Sequence, residues 1–177
     1  MNLEHVEIVK RGAESISKWR ETHPNERLDL RGADLGYAYL RGANLLDADL
    51  GGANLWNASL RGANLWNASL RGANLGRANL VGANLGRANL VGANLGLADL
   101  GGADLGGAKG IWQCGPGGSR GDMLYFVQHD NGLMVKCGCF WGTLAEFEAA
   151  IEKTHGDNQH GRYYRAAIQM AKAWSEG

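Results

Sequence analysis

The sequence predicts a mainly β protein built on a β-solenoid, with a helical N-terminal cap and a small α+β C-terminal domain. Three observations predict it. Leu occupies every fifth position from Leu30 to Leu105, sixteen times without a miss, and Ala recurs at the same interval from Ala33 to Ala108. The two residues after each Leu alternate in type every ten residues. After Ala108 the pattern stops and the composition changes.

A period of five fits no ordinary element. On an α-helix, Leu every five residues precesses by about 140° per step and forms no stripe. On a flat strand an odd period alternates faces. Ala and Leu two apart share one face of a short extended segment. Keeping every Leu inside requires a corner in the remaining residues, and a chain turning the same way every five residues is a coil of short strands.

The ten-residue alternation sets the number of corners. At Arg31-Gly32, Arg41-Gly42, Gly51-Gly52, Arg61-Gly62, Arg71-Gly72, Val81-Gly82, Val91-Gly92 and Gly101-Gly102 the second residue is Gly. The intervening pairs, such as Gly36-Tyr37, Trp56-Asn57, Trp66-Asn67 and Gly76-Arg77, differ. Each column keeps one type if a coil has four sides, or twenty residues. Gly in second place suits a type II turn, which needs positive φ there. Tyr37, Arg77, Arg87 and Leu97 resist that conformation. Two turn classes on alternate corners are therefore expected.

The A-(N/D/S)-L-x-x unit resembles the pentapeptide repeat family over residues 28–110. The resemblance implies a right-handed quadrilateral β-helix of about four coils, with the Leu and Ala positions as its core. At a strand spacing of about 4.8 Å the rod is roughly 19 Å long.

Solenoid ends need caps. Residues 1–27 read as the N-terminal one: a helix over 3–22 carries Leu3, Val6, Val9, Ala13, Ile16 and Trp19 on one stripe, and Pro24 ends it. Residues 111–121, with Gly115-Pro116-Gly117-Gly118-Ser119, read as a linker, and the Arg120-Gly121-Asp122 triplet as a coincidence within that stretch. Residues 122–177 read as a ββαα domain. Met123–Gln128 and Leu133–Cys139 flank Asp130-Asn131-Gly132, a hairpin signal. Thr143 and Glu146 make a capping box for a helix carrying Leu144, Phe147 and Ile151. A last helix over 159–174 sets Tyr164, Ile168, Ala171 and Trp174 on one side. The strings Gly138-Cys139-Phe140-Trp141-Gly142-Thr143 and Thr154-His155-Gly156-Asp157 resemble a tail found after pentapeptide repeats in phage-type proteins.

Charge narrows the function. The chain of 177 residues has 18 Lys and Arg against 18 Asp and Glu, so no global field draws it to nucleic acid or an anionic membrane. No run of 18 apolar residues spans a bilayer, and the N-terminus does not read as a signal peptide. Three Cys, an odd number, build no disulfide framework, and a cytoplasmic location is expected.

Candidate sites follow. Cys137 and Cys139 with His155 and His160 could supply four zinc ligands, though C-x-C is an unusual spacing and such cysteines often serve as core hydrophobes. His155 before Gly156 also suits a helix C-terminus. Cys139 with His155 is the weaker, catalytic version of that site, with no motif for an oxyanion hole. Trp56, Trp66, Arg41, Arg61, Arg71, Arg77 and Arg87 are surface anchors at corners, where the tryptophans should be exposed. Corner packing, with Tyr37 above Trp56, is the competing reading of the tryptophans. Mapped onto four sides, Trp56 opposes Trp66 and Arg77 opposes Arg87, while Arg41 and Arg61 stack, so the charge is spread and nucleic acid is not the expected partner. Asn44, Asn54, Asn64, Asn74 and Asn84 read as side-chain amides bonding turn backbone.

Some pentapeptide proteins protect gyrase by presenting an acidic DNA-like rod. Six acids against seven bases in residues 28–110 fit that poorly. The expected function is a non-enzymatic protein-binding scaffold without cofactor, phage-encoded and host-directed, which caps or dimerises through its C-terminal domain at Trp112, Trp141 and Trp174. The alternatives are topoisomerase modulation by DNA-like shape, and metal binding or Cys/His enzymatic activity in the tail.

Overall fold

The computed structural model describes residues 1–115 and 121–176. The chain divides into two compact units, Met1–Lys109 and Gly110–Gly177. Each is described by itself.

The first unit is a β-helix behind two short helices. Parallel bridges join each outward residue to the one twenty residues on, as in Asp29↔Asp49↔Ser69↔Asn89↔Lys109. The twenty-residue interval expected from the ten-residue alternation is the pairing interval observed. Each repeat Leu amide from Leu30 to Leu90 donates to a carbonyl in the next coil, as from Leu45 to Asn64 at 2.8 Å, and the residue before the partner Leu returns a bond, as from Asn64 to Ala43 at 2.9 Å. The repeat leucines, every fifth residue from Leu30 to Leu100, are at most 3% exposed. Each such burial contributes about 1.5–3 kcal/mol, so the stack is stabilised by repetition rather than by large side chains. Leu105, in the last coil, is half-buried.

The corners depart from expectation. In every one, the Ala amide donates to the carbonyl of the Leu three residues before, at 2.9–3.1 Å. The second corner residue has positive φ whether it is glycine or not: Tyr37 (59°), Arg77 (58°), Arg87 (57°) and Leu97 (59°) sit beside Gly42 (67°) and Gly62 (65°). There is one turn class, of type II character. The reason is the ladder. The amide of Tyr37 donates to Trp56 O at 2.9 Å and that of Arg77 to Gly96 O at 2.8 Å. Flipping either corner would forfeit that bond, which outweighs a local cost of about 1–2 kcal/mol per non-glycine residue. Between corners, Asn44, Asn54, Asn64, Asn74 and Asn84 each accept the amide two residues on at 3.0–3.2 Å. Asn74 and Asn94 also donate along the coil to Asn54 and Asn74 at 3.3 Å.

The single helix expected over 3–22 is two, α1 (Leu3–Lys10) and α2 (Ala13–Thr22). Gly12 breaks it at φ 92°. Val6, Val9, Ile16 and Trp19 are buried with Leu28, whereas Leu3, counted on the same stripe, is the first residue of α1 and is 70% exposed. Arg20 ties the helices to the coil by donating to Glu26 O at 2.6 Å and Leu46 O at 2.7 Å. Burial pushes the pKa of its guanidinium down.

The second unit holds four strands and two helices, rather than a ββαα arrangement. Strands β1 (Ile111–Cys114), β2 (Leu124–His129), β3 (Gly132–Cys137) and β4 (Phe140–Thr143) form one antiparallel sheet in sequential order. Residues 111–114, placed in the linker by composition, pair with β2. Pro116–Arg120, the rest of that glycine-rich stretch, lie outside the described residues. The β2–β3 hairpin turns at Asp130-Asn131, and Gly138-Cys139 turn between β3 and β4. Helix α3 (Leu144–His155) starts on the expected capping box: Thr143 accepts the Glu146 amide, whose carboxylate accepts the Thr143 amide at 2.7 Å. That bond holds the Glu146 carboxyl below the usual range. Helix α4 (Gln159–Glu176) follows. Leu124, Phe126 and Val135 pack against Phe147, Ile151, Tyr164 and Ile168 to make the core.

Candidate functional site

Three places collect the chemistry-bearing residues: two corners of the β-helix, one of its sides, and a cleft in the C-terminal unit.

The corners come first. Trp56 and Trp66 are half-buried, not exposed as corner positions alone suggest. Each indole lies on the next coil's corner, where glycine stands twenty residues on. A Cβ on Gly76 would sit 3.0 Å from Trp56 Cδ1, and one on Gly86 2.9 Å from Trp66 Cδ1. The residue after each glycine then stacks its cation on the ring: Arg77 lies 5.6 Å from the Trp56 ring centre and Arg87 5.2 Å from that of Trp66. Tyr37 meets Trp56 edge-on at 5.0 Å. The corner-packing reading of the tryptophans therefore describes how they are held. What is left at the surface is a guanidinium fixed by an aromatic face, an attraction of about 0.5–1 kcal/mol at exposed sites.

Arg41 and Arg61 occupy one corner in successive coils, where the Gly42 amide donates to Arg61 O at 3.0 Å. Both are exposed, as is Arg71. Positions 61 and 71 lie half a coil apart, so these cations do not gather with the stacked pair into one stripe.

The second place is a shallow recess of about 430 Å³ on one side, lined by Asn67, Ala68, Ser69, Arg87, Asn89, Gly107 and Lys109. Its two charged residues are cations. Lys109 was not singled out by sequence, because it replaces the usual Asn/Asp/Ser only where the repeat is ending.

The third is a cleft of about 230 Å³ lined by Asp122, Cys137, Cys139, Phe140, Phe147, Thr154, His155 and Tyr164. It brings together three of the four residues considered as zinc ligands. His160 lies instead against the His155 ring at 5.8 Å, and His155 also faces Tyr164 at 5.5 Å. No group of three or more His, Cys, Asp or Glu among the described residues is placed to hold a metal ion. The geometry thus does not assemble the Cys137, Cys139, His155 and His160 set, since the imidazoles are engaged with aromatic rings and Cys137 packs against the core. Asp122 abuts the Gly138 turn. No disulfide joins cysteines among the described residues. Cys114 reaches the Tyr163 hydroxyl at 3.5 Å. Burial, reinforced by that thiol, pushes the Tyr163 phenol up to about 12.

The three C-terminal tryptophans are all half-buried. Trp112 packs against Phe126 at 5.6 Å. Trp141 stands on β4 opposite Lys136, and Trp174 on the last turns of α4.

A core of Leu and Ala, corners every five residues and pairing every twenty define the first unit as a pentapeptide-type β-helix. A family model described as "Pentapeptide repeats (8 copies)" matches residues 29–67 and again residues 68–107, and with a solved relative 40% identical and covered to 73% of its length the chain belongs to that family. Among solved structures it is similar to HetL of the cyanobacterium Nostoc sp. PCC 7120, a pentapeptide repeat protein involved in heterocyst differentiation regulation: 46% identity over 48% of this chain and 41% of that one, TM-score 0.44. It is 41% identical to a pentapeptide repeat protein of the Arabidopsis thaliana thylakoid lumen, over 45% of this chain and 56% of that one, TM-score 0.44. A further Nostoc PCC 7120 pentapeptide repeat protein is 40% identical over 50% of this chain and 73% of that one, TM-score 0.45. The chain spans 41–59% of the length of the first three solved relatives. No curated protein matches it. No helix among the described residues is long and apolar enough to cross a membrane.

Proposed function

We propose that the protein is a non-enzymatic protein-binding scaffold. In this reading the first unit is a right-handed, four-sided rod of about four coils, working in a reducing cytoplasm. The observation that supports it is the pair of indole–guanidinium stacks half a coil apart, Trp56 with Arg77 and Trp66 with Arg87. Arginine held on a tryptophan face loses little freedom on binding, so a partner meets it at low entropic cost. The three C-terminal tryptophans serve a cap or a homodimer contact in this reading, and the resemblance of the tail to phage-type proteins is the ground for proposing a phage-encoded, host-directed role.

The test is affinity capture from bacterial lysate after nuclease treatment, with the full chain as bait and Arg77→Gln/Arg87→Gln as its comparison. A stoichiometric protein that the double variant loses is expected. A folded bait that captures nothing, or a partner indifferent to both substitutions, would overturn the corner reading. Sedimentation of the full chain at increasing concentration tests the homodimer, with a monomer throughout as the contrary result.

A further inference from the structure

The ten-residue alternation makes two sides of the β-helix near copies. Gly52–Leu60 and Gly62–Leu70 are identical in sequence. One side carries Asn57-Ala58-Ser59, Arg77-Ala78-Asn79 and Leu97-Ala98-Asp99; the other carries Asn67-Ala68-Ser69, Arg87-Ala88-Asn89 and Gly107-Ala108-Lys109. The first two rows match residue for residue, and both sides hold the stacked arginine. The third row differs at two positions, and each difference has a chemical meaning. Leu97, 49% exposed, becomes Gly107, and Asp99 becomes Lys109. The first removes a side chain; the second replaces an acid with a base.

The recess of about 430 Å³ lies on the side with both changes. Gly107 leaves its floor open beside Arg87, whose Cγ is the nearest atom to a Cβ placed there, at 3.6 Å. Arg87 is held by Trp66 at 5.2 Å, and both Arg87 and Lys109 are exposed. Asn89 lines the recess, and its Oδ1 accepts the Val91 amide at 3.1 Å, so the group it can still offer a ligand is its NH2 donor. The acids nearest in the same columns are already occupied one or more coils away. Asp47 accepts from Asn67 at 2.7 Å, and Asp49 lies 3.7 Å from Arg27 and 3.8 Å from Arg31.

We propose that the side bounded by Arg87 and Lys109 docks an extended acidic segment of a partner protein. Two residues along a strand and one coil across put the two cations' Cα atoms about 8 Å apart. Alternate side chains of an extended peptide stand about 7 Å apart, so carboxylates at alternate positions meet both cations. Arginine offers a fork to a carboxylate; Asn89 stands beside Arg87 and pairs with Lys109, and Asn67 and Ser69 continue the lining one coil before. A polynucleotide would want cations in a continuous track, whereas Arg41, Arg61, Arg71 and Arg77 stand at other corners.

The inference rests on the scaffold reading, and its test separates the two. The full chain is titrated with a labelled seven-residue peptide of alternating Glu and Thr, its Gln counterpart, and an oligothymidylate of equal charge. The Glu peptide is expected to bind one per chain, more weakly as salt rises. Arg87→Gln and Lys109→Asp each weaken it at least tenfold, while Lys153→Gln, at an exposed position of α3 in the other unit, leaves it unchanged. Leu97→Gly/Asp99→Lys converts the opposite side and raises the stoichiometry to two. Equal binding of the Gln peptide, tighter binding of the oligothymidylate, or indifference to Lys109→Asp would overturn the proposal. A stoichiometric partner still captured by Lys109→Asp overturns this side alone. A chain that binds the peptide yet captures no protein overturns the scaffold reading alone.

Discussion

In the β-helix, the neighbours of Leu65 are Leu45 and Leu85, reached through carbonyls and amides twenty residues away on either side. In the C-terminal unit, Phe126 shares a core with residues from two strands and two helices, and Val135, Phe147, Ile151 and Tyr164 differ from one another in size and shape. One unit repeats a single small contact; the other is assembled once from unlike parts. The difference teaches where each unit stores its tolerance. A corner of the β-helix accepts Tyr, Asn, Arg or Leu at positive φ because the ladder dictates the backbone. The C-terminal unit has no such redundancy, and its caps and core must each be right.

The largest expected effect lies inside the repeat. Leu65→Ala removes a fully buried side chain from a stack that cannot collapse across its backbone bonds, and should cost about 2–5 kcal/mol. Amide exchange read coil by coil should show the loss spreading through the first unit, and a loss confined to one coil would break the comparison. Next comes Gly86→Ala. The added Cβ would meet Trp66 Cδ1 at 2.9 Å, so the indole must shift and the variant should lose about 1–3 kcal/mol. Quenching of tryptophan fluorescence by acrylamide should rise with it. In the other unit, Thr143→Ala removes the hydroxyl that accepts the Glu146 amide and should cost about 1 kcal/mol, read as faster exchange in the first turn of α3.

The smallest effect is electrostatic. Arg31 holds the Asp29 carboxyl well below the usual carboxylate range, by hydrogen bonds at 2.8 and 2.9 Å. A depressed folded value means the contribution is complete above the unfolded value of about 4 and is lost as pH falls through the folded one. Asp29→Asn should therefore lower the melting temperature slightly at pH 7 and not at the acid end. An equal drop at both would assign Asp29 a packing role instead.

What the sequence disclosed tracks the same divide. Leu every fifth residue and Gly every tenth were enough for the core and for the pairing interval, since a repeat states its own periodicity many times. The corners were misjudged because local preference at Tyr37 or Arg77 was weighed without the ladder bonds that override it. The burial of Trp56 and Trp66 was readable in principle: glycine stands twenty residues after each, at Gly76 and Gly86. Strands β1 and β4 escaped notice because each is four residues long and carries no alternation of its own; pairing with β2 and β3 makes them strands. The break at Gly12 was masked by an apolar stripe that runs through both helices. Of the candidate sites, Arg87 was visible as a charge, but Lys109 acquires its meaning only from the column it ends.

Pairing at an interval of twenty also turns changes of length into rotations. Removing one of the two identical decamers keeps every Leu inside and every corner intact, yet exchanges the two near-identical sides for everything downstream. Lys109 would then end the column that Tyr39 begins, and Asp99 would join the column of Asp29 and Asp49. Such a chain would keep the same coil, with two fewer buried leucines, while carrying its cationic side on the opposite flank. Duplication of a decamer is thus a gene-level switch of address, and duplication of two decamers lengthens the rod without moving what it displays.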